Sequence, residues 1–386
     1  MKYIICHYGE IALKGKNRPF FEKKLVENIR KNLGKDKINF VERLFGRIII
    51  KLNKEVEEKE IENFKNIFGV ANFSPTQKVN QNIEDIKKKV LSLLKKENFN
   101  SFRITTKRPQ KKFPLTSQEV NEEVGEVICV KLNKEVNLEN PDLTCYVEIV
   151  QDLAFIYTKR IEGAKGLPVG VSGKALSLIS GGIDSPVASF LMMKRGVDPI
   201  YIHFHSYPFT DKASINKVKE LIEILSKYQY KSKLYLVPFA EFQKRIIDKI
   251  KDKYRIVLYR RFMYRIAEKI AQKENAKVLI SGEAVGQVAS QTLENINAIS
   301  DVIKIPVLRP LIGKDKEEII NKAKEIGTYQ ISIQPHDDTC SRFLPDHPET
   351  KTKVKNIEKE EENIKIEKEI EKIMKEIKVE KFNNVN

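Results

Sequence analysis

The sequence predicts an α/β protein in which a doubly wound parallel sheet is preceded by two small α+β domains. From residue 175 onward, short apolar runs alternate with helical segments, a pattern typical of a parallel sheet covered by helices. A glycine turn at 180–185 directly follows the first of these runs, at the edge where such sheets bind ligands. Glycine and proline are concentrated between 163 and 173 and predict a linker. We therefore expect domains at 1–60, 61–165 and 166–350, followed by a charged C-terminal segment at 351–386.

Each front domain is predicted to combine short strands with helices. In the first domain, hydrophobic periodicity and a turn at Phe45-Gly46 separate strands from helices. The predicted elements are strands at 2–6, 38–44 and 47–52 and helices at 19–32 and 55–68. Those of the second domain are helices at 82–97 and from about 117, and strands at 101–106, 143–150 and 153–158.

The third domain shows the regular alternation of strands and helices. Its predicted strands lie at 175–179, 199–204, 233–237 and 278–281, and its helices at 186–195, 212–228, 239–250, 254–273 and 315–326. Beyond residue 351 the chain is composed mainly of Glu, Lys and Ile, with isoleucines at helical spacing. This predicts a charged amphipathic helix lying on the surface of the third domain.

Two polar segments of the front half carry clustered positive charge. Residues 8–18 contain three cations, and residues 107–114 contain four, with Phe113 and two prolines. A segment stiffened by proline can bind phosphates without first being ordered. Each segment is either a solvated loop or an RNA contact. The formal net charge of +17, with both halves of the chain basic, favours a polyanionic partner.

Composition excludes several other classes of protein. No run of about 18 apolar residues is present, which excludes a membrane span, and the first residues are too polar for a signal peptide, so we expect a cytoplasmic protein. The four cysteines, Cys6, Cys129, Cys145 and Cys340, are scattered without a Cys-x-x-Cys pair. This argues against a disulfide framework and an iron–sulfur site. A zinc site from His336, Cys340 and His347 would lack a fourth ligand, so no metal site is predicted.

The glycine turn has the residues of a polyphosphate-binding loop. Residues 180–185 read Ser-Gly-Gly-Ile-Asp-Ser and lead into a predicted helix, whose first N–H groups attract anions. The turn lacks the Gly-Lys-Ser/Thr ending that binds β and γ phosphates. A loop without this lysine is suited to bind pyrophosphate as a leaving group. We therefore expect nucleotidyl transfer, in which the α-phosphate of a nucleotide is attacked. Asp184 either positions Mg²⁺ or the reacting oxygen, or caps the helix.

Residues 180–185 resemble the PP-loop of the ATP-pyrophosphatases, and three further stretches narrow the resemblance. Residues 8–18 resemble the ferredoxin-like domain of the tRNA 4-thiouridine synthetases, or tRNA sulfurtransferases, and residues 106–114, 119–121 and 141–143 resemble their RNA-binding THUMP domain. Residues 203–206, 281–283 and 286–293 resemble their PP-loop domain. The resemblance covers nearly the whole chain. Some family members also carry a rhodanese domain with a second cysteine, which residues 351–386 do not resemble.

The resemblance implies specific roles for individual residues. The implied catalytic residues are Cys340 and Asp184. The implied ATP-binding residues are Leu178, Ile179, Ser180, Gly181, Gly182, Asp184, Ser185, His203, Phe204, Arg260, Gly282 and Gln291. The RNA-binding residues we expect are Lys14, Lys16, Arg18, Lys107, Arg108, Lys111 and Lys112. The sequence does not decide whether Arg260 or its neighbour Arg261 contacts ATP.

The resemblance also implies a reaction and partners. Uridine 8 of tRNA would be adenylated on O4 by ATP with Mg²⁺, and a persulfide on Cys340 would replace that oxygen with sulfur. A cysteine desulfurase would supply the sulfur, and a thiamine sulfur-carrier protein is a further expected acceptor. A homodimer is left open. Without the rhodanese cysteine, Cys340 would receive sulfur directly, inorganic sulfide would suffice, or another cysteine would take part.

Four other functions compete with this one. A 2-thiolating PP-loop enzyme commonly needs paired cysteines, and a small-molecule adenylating ligase would not need the basic front half. A methyltransferase would require a glycine-rich cofactor loop that the second half lacks. A non-enzymatic RNA-binding module would bind tRNA without consuming ATP.

Overall fold

A computed structural model describes residues 2–335 and 347–383 of the chain. The chain divides into two compact units, residues 1–168 (unit 1) and residues 169–385 (unit 2). The predicted site residue Cys340 and its neighbour His336 lie outside the described residues.

Unit 1 is built on one nine-stranded sheet that runs through both predicted front domains. Its strands are β1 (Tyr3–His7), β2 (Ile38–Leu44), β3 (Arg47–Leu52), β4 (Asn72–Asn80), β5 (Ser101–Lys107), β6 (Glu135–Val136), β7 (Leu143–Val150), β8 (Leu153–Tyr157) and β9 (Ile161–Glu162). The strand order is β2-β3-β1-β4-β8-β7-β5-β6, and β9 pairs with β4. Strand β4 is absent from the sequence-based prediction. It joins the two halves because it pairs with β1 and with β8.

Four helices belong to unit 1, namely α1 (Arg18–Leu33), α2 (Glu58–Lys65), α3 (Ile83–Leu94) and α4 (Ser117–Leu132). Alternate residues of β7 and β8 form a core with α3 and α4, as strand periodicity requires. Helix α4 begins at Ser117 because Thr116 and Glu119 form a reciprocal capping box.

Unit 2 contains a six-stranded sheet in the order β14-β13-β10-β11-β12-β15. Its strands are β10 (Lys174–Leu178), β11 (Asp198–His205), β12 (Lys231–Pro238), β13 (Val278–Ile280), β14 (Val307–Leu308) and β15 (Lys378–Asn383). The first five are parallel. Since β11 and β13 flank β10 on opposite sides, the winding direction reverses there and opens a crevice at the carboxyl ends. The predicted fold class is confirmed.

The helices of unit 2 pack around this sheet. They are α5 (Asp184–Lys194), α6 (Ala213–Gln229), α7 (Ala240–Ile247), α8 (Arg255–Lys273), α9 (Leu293–Ser300), α10 (Lys316–Ile326), α11 (Tyr329–Ser332), α12 (Val354–Glu361) and α13 (Ile366–Glu376). Within the described residues, no helix of the protein is both long and apolar enough to span a membrane.

The C-terminal segment differs from the single surface helix that the sequence predicted. It forms two helices and then strand β15, which pairs antiparallel with β12. Ile357, Ile370 and Ile373 are buried in the main core of unit 2. The predicted helical periodicity is present in α12 and α13, but Ile377, at the end of α13, is extended and the next residues alternate as a strand. The segment is therefore an integral part of unit 2.

Candidate functional site

A cleft of about 290 Å³ lies at the carboxyl edge of the unit 2 sheet. It is bordered by the ends of β10, β11 and β13 and by one face of α8. Eleven of the twelve predicted nucleotide-binding residues line it, namely Leu178, Ile179, Ser180, Gly182, Asp184, Ser185, His203, Phe204, Arg260, Gly282 and Gln291. Gly181 lies between two of them in the chain but is not part of the lining. Residues that were not individually predicted also line the cleft, and these are Ile202, Met263, Ser281, Glu283, Gln287 and Val288.

The loop before α5 is held by its own serines. The Ser180 backbone N–H donates to Ser185 Oγ over 2.8 Å, and the Gly182 N–H donates to Ser180 Oγ over 3.3 Å. Ser189 Oγ donates to the Ser185 carbonyl over 2.9 Å. These bonds fix the loop beside the amino-terminal end of α5, where backbone N–H groups attract an anion.

Asp184 is positioned by two side chains from distant parts of the chain. Gln287 Nε2 donates to its Oδ2 over 2.9 Å, and Lys316 Nζ lies 2.7 Å from its Oδ1. Asp184 is the first residue of α5, and the N-cap position is Ile183, which makes no side-chain cap. The carboxylate is thus engaged across the cleft rather than as a helix cap. Lys316 was missed because it has no motif of its own. It is the first residue of α10, a position set by the Asp315–Glu318 capping box.

Gly282 makes a close backbone approach to the loop. A Cβ at this position would lie 2.8 Å from the Ser185 N atom and 2.9 Å from the Asp184 carbonyl carbon. Neither atom belongs to a flexible side chain, so the site requires glycine. The end of β13 thereby packs directly against the start of α5.

The structure distinguishes Arg260 from Arg261, the two candidates for the arginine that contacts ATP. Arg260 lines the cleft and its Nη1 donates to Glu283 Oε1 over 2.9 Å. Arg261 is 1% exposed and is held by Glu361 at 2.8 Å and by the Ala298 carbonyl. Only Arg260 of this pair faces a ligand-sized space.

Glu283 is a buried carboxylate that orients Arg260. Arg309 Nε donates to its other oxygen over 2.6 Å. Burial disfavours the charged form, but the nearby Arg260 and Arg309 outweigh it and hold the pKa of Glu283 below its usual value. The carboxylate therefore stays ionised and fixes the guanidinium of Arg260 at the cleft wall.

Histidine and glutamine side chains complete the cleft wall. His203 Nδ1 lies 3.0 Å from the Ile179 carbonyl, which can only accept, so this nitrogen carries a hydrogen. Gln291 Oε1 accepts from the Ala284 N–H over 3.1 Å. Burial, together with His203 and Lys378, lowers the pKa of the next histidine, His205, to about 4. His205 is therefore neutral at physiological pH.

The described residues on either side of 336–346 make hydrogen bonds to other elements of unit 2. Ser332 Oγ donates to the Gly182 carbonyl over 3.3 Å, and the buried Lys217 Nζ donates to the Ser332 carbonyl over 2.8 Å. On the other side, Asn295 Nδ2 donates to the Glu349 carbonyl over 2.7 Å. The described residues on both sides of 336–346 are therefore bonded to other parts of unit 2, and Ser332 is bonded to Gly182, which lines the cleft.

The other three cysteines lie in unit 1, and two of them are buried. Cys6 and Cys145 are fully buried in unit 1, and burial raises the pKa of both thiols, that of Cys145 to about 12. Cys129 is half-buried on α4. Within residues 2–335 and 347–383, no group of three or more His, Cys, Asp or Glu side chains is placed to hold a metal ion.

The predicted RNA-binding cations lie on two separate parts of unit 1. Lys16, Lys107, Lys111 and Lys112 are exposed, and Lys14 is half-exposed and paired with Glu10. Arg18 is partly used internally, since it donates to Tyr8 Oη and to Glu22.

Phe113, the aromatic residue of the second basic segment, is buried, unlike the lysines beside it. It is buried in the core with α3 and α4, and Arg108 Nη1 donates to its carbonyl over 2.8 Å. The short, proline-flanked loop places Phe113 inward, so it anchors the loop and leaves the lysines outside.

A glycine loop at the switch point of a parallel sheet, joined to a basic α+β unit, defines a PP-loop nucleotide-binding protein with RNA-binding-type domains. Matches to known families agree with this class. The "Thiamine biosynthesis protein (ThiI)" family matches residues 170–366, the "ThiI ferredoxin-like domain" matches 3–74, and the "THUMP domain" matches 80–159.

Relatives match the chain along nearly its whole length. The probable tRNA sulfurtransferase of Thermoanaerobacter pseudethanolicus is 43% identical over 94% of this chain and 96% of its own. That of Brevibacillus brevis is 44% identical over 94% and 92%. A solved 4-thiouridine synthetase–RNA complex with bound ATP superposes with a TM-score of 0.90 at 39% identity, covering 99% of this chain and 100% of the other. The chain belongs to the tRNA sulfurtransferase family.

Proposed function

We propose that the protein is an ATP-dependent tRNA sulfurtransferase that converts uridine 8 of tRNA to 4-thiouridine. The observation that carries this proposal is the cleft, in which eleven predicted nucleotide-binding residues meet around Asp184. Support also comes from the similar 4-thiouridine synthetase, whose structure contains RNA and ATP.

ATP fits the cleft with its adenine near the strand ends and its phosphates at the loop. The backbone of Leu178 and Ile179 meets the adenine edge, beside His203 and Phe204. Residues 180–185 receive the phosphates at the start of α5. Arg260, held by Glu283, supplies a fixed guanidinium, and Gly282 and Gln291 complete the wall.

Asp184 is the residue that would hold Mg²⁺. A single carboxylate together with substrate phosphates and water is the usual coordination of Mg²⁺ in nucleotide sites. The ion would neutralise phosphate charge when bound. Lys316 lies on the same carboxylate and provides a second positive charge for the departing pyrophosphate.

The reaction requires two displacements. Uracil O4 attacks the α-phosphorus of ATP, pyrophosphate leaves, and the N3 proton is lost. The terminal sulfur of a Cys340 persulfide then attacks C4, and AMP leaves with the O4 oxygen. A thiol from solution, such as that of free cysteine, attacks the Cys340 sulfur of the resulting disulfide, and 4-thiouridine leaves with its sulfur. A second such thiol displaces the first from Cys340 and restores the free cysteine.

The sulfur and RNA partners follow from this chemistry. A cysteine desulfurase transfers persulfide sulfur to Cys340, and a thiamine sulfur-carrier protein is a second acceptor. Burial of Cys6 and Cys145 disfavours both as sulfur carriers. The exposed lysines of unit 1, together with Arg18 and Arg108, bind the RNA backbone. The proposal places the enzyme in the cytoplasm and leaves a homodimer open.

The decisive experiment incubates the full chain with unmodified tRNA, Mg-ATP, cysteine and a cysteine desulfurase, followed by nucleoside mass spectrometry. ATP-dependent 4-thiouridine is the expected product. Cys340→Ser should abolish the thionucleoside while AMP formation continues, and Cys129→Ser, the matched cysteine control, should remain active. AMP and pyrophosphate without thionucleoside from the wild type would retain adenylation but refute the sulfur route. RNA binding with neither product would favour the non-enzymatic module.

A further inference from the structure

Tyr207 stands out in unit 2 because its ring is exposed. Its side chain is 43% exposed, and among the residues of unit 2 that the structure describes it is the only aromatic exposed to this degree. The other large aromatic rings described in this unit are buried or half-buried in its core. A single exposed aromatic ring is common on protein surfaces, so its surroundings must show whether it binds a ligand.

The segment around Tyr207 is held on both sides of the ring. Ser206 is fully buried, and its Oγ donates to Gln243 Oε1 over 2.6 Å. Thr210 is 4% exposed, and its N–H donates to the Ser206 carbonyl over 3.1 Å. Tyr207 therefore projects from a short segment with two buried anchors. Its ring is presented to solvent by a fixed backbone.

A cation accompanies the ring. Lys212 Nζ lies 5.2 Å from the centre of the Tyr207 ring, within cation–π range. An exposed aromatic with an adjacent ammonium group is the combination that single-stranded nucleic acids bind, because bases stack on the ring and phosphates pair with the cation.

The position of Tyr207 relates it to the cleft. It follows the carboxyl end of β11, whose residues His203 and Phe204 line the cleft. The carboxyl ends of parallel strands share one edge of a sheet, so Tyr207 and the loop before α5 lie on the same side. Tyr207 is three positions after Phe204 in the chain, so their Cα atoms are at most about 11 Å apart.

The proposed reaction requires that the target uracil be unstacked and held near the cleft. Uracil O4 cannot reach an α-phosphate at the bottom of a cleft while the base is stacked within folded RNA. Enzymes that modify such a base take it out of the stack and hold it against aromatic or apolar side chains. We propose that Tyr207 is the stacking platform for the extruded target uracil, and that Lys212 pairs with a neighbouring phosphate. This inference rests on the proposed function and adds a substrate-positioning residue to it.

The test compares Tyr207→Ala, Tyr207→Phe and, as a control on an exposed apolar residue of the same unit, Val379→Ala. A base stacked on an aromatic ring contributes about 1–3 kcal/mol, so Tyr207→Ala should lower kcat/KM for tRNA by about 5- to 150-fold. Tyr207→Phe retains the ring face and should stay within about twofold of the wild type. Affinity for ATP and the melting temperature should be unchanged in all three.

A direct readout follows the base itself. A tRNA transcript carrying 2-aminopurine next to uridine 8 should gain fluorescence when the wild type unstacks the target, and Tyr207→Ala should weaken this gain. Equal fluorescence and equal kcat/KM in Tyr207→Ala and the wild type would overturn the inference while leaving the sulfurtransferase function intact. A wild type that produces no 4-thiouridine would count against the proposed function, and the fluorescence comparison would still decide the role of Tyr207.

Discussion

Lys316 Nζ lies 2.7 Å from Asp184 Oδ1, although 132 positions separate these residues in the sequence. Asp184 opens α5 and Lys316 opens α10, so the pair joins the starts of two helices at the cleft. Phosphate-binding loops of the Walker type carry their lysine within the motif. The loop at 180–185 contains no lysine, and Lys316 of a different helix contacts its Asp184.

We expect Lys316→Met to slow AMP formation by about 100-fold, because the proposed function gives this lysine the role of stabilising the departing pyrophosphate. ATP affinity should fall much less, since the ground-state contacts of the loop and of Arg260 remain. Rates of AMP release with saturating tRNA and equilibrium ATP binding measure the two effects separately.

The matched control for Lys316→Met is Lys322→Met, on the same helix and paired with the exposed Glu325. Its AMP formation should equal that of the wild type. Equal rates in the Lys316→Met variant and the wild type would show that the lysine serves only to neutralise Asp184.

Local sequence signals were sufficient to predict much of the fold and the loop at 180–185 that forms the centre of the site. The hairpin of β2 and β3 has the predicted bounds because β-branched residues flank a Phe45-Gly46 turn. The loop at 180–185 is contiguous, so its residues could be read directly, and the family resemblance supplied the others.

What the sequence did not reveal depends on contacts between distant segments. Lys316 has an ordinary helical context and reaches Asp184 only because α10 packs against α5. Strand β4 contains Pro75 and several polar residues, which weaken a strand signal, yet pairing on both sides stabilises it. Strand β15 was hidden by the Glu- and Lys-rich composition, which favours helix until the strand is paired with β12.

Gly282→Ala should distort the proposed nucleotide-binding loop at 180–185, because the added Cβ would lie 2.8 Å from the Ser185 N atom. The loop backbone must then shift, and overpacking of this kind typically costs about 1–3 kcal/mol. We expect at least a tenfold weaker ATP affinity with a modest loss of thermal stability. Equilibrium ATP binding and a thermal melt of the full chain measure both quantities.

Gly313→Ala is the control for this substitution, because nothing lies within 4 Å of the Cβ it would add. It should bind ATP as the wild type does. If Gly282→Ala also bound ATP normally, the close approach of β13 to α5 would not be needed for ATP binding.

A buried ionic cluster joins the two halves of unit 1 and predicts a pH-dependent stability. Glu148 on β7 is 1% exposed, and it contacts Arg47 of β3, His7 Nε2 of β1 at 2.8 Å and Tyr157 Oη at 2.5 Å. Burial raises its pKa, but His7, Arg47 and Tyr157 together outweigh burial and lower the pKa from 4.5 to about 2. The charged carboxylate thus links strands from both predicted front domains.

Glu148→Gln should destabilise unit 1 by about 3 kcal/mol at pH 7, because it leaves Arg47 buried without its partner. Since the folded pKa of Glu148 is the lower one, its contribution is fully present above about pH 4.5 and is lost as the pH falls toward 2. The difference between wild type and variant should therefore shrink progressively below pH 4.5. Hydrogen exchange of the amides of β1 and β7 in the full chain measures this difference in stability. The control is Glu42→Gln, a substitution of an exposed glutamate. A difference that stays constant down to pH 3 would mean that Glu148 stabilises the sheet by packing rather than by charge.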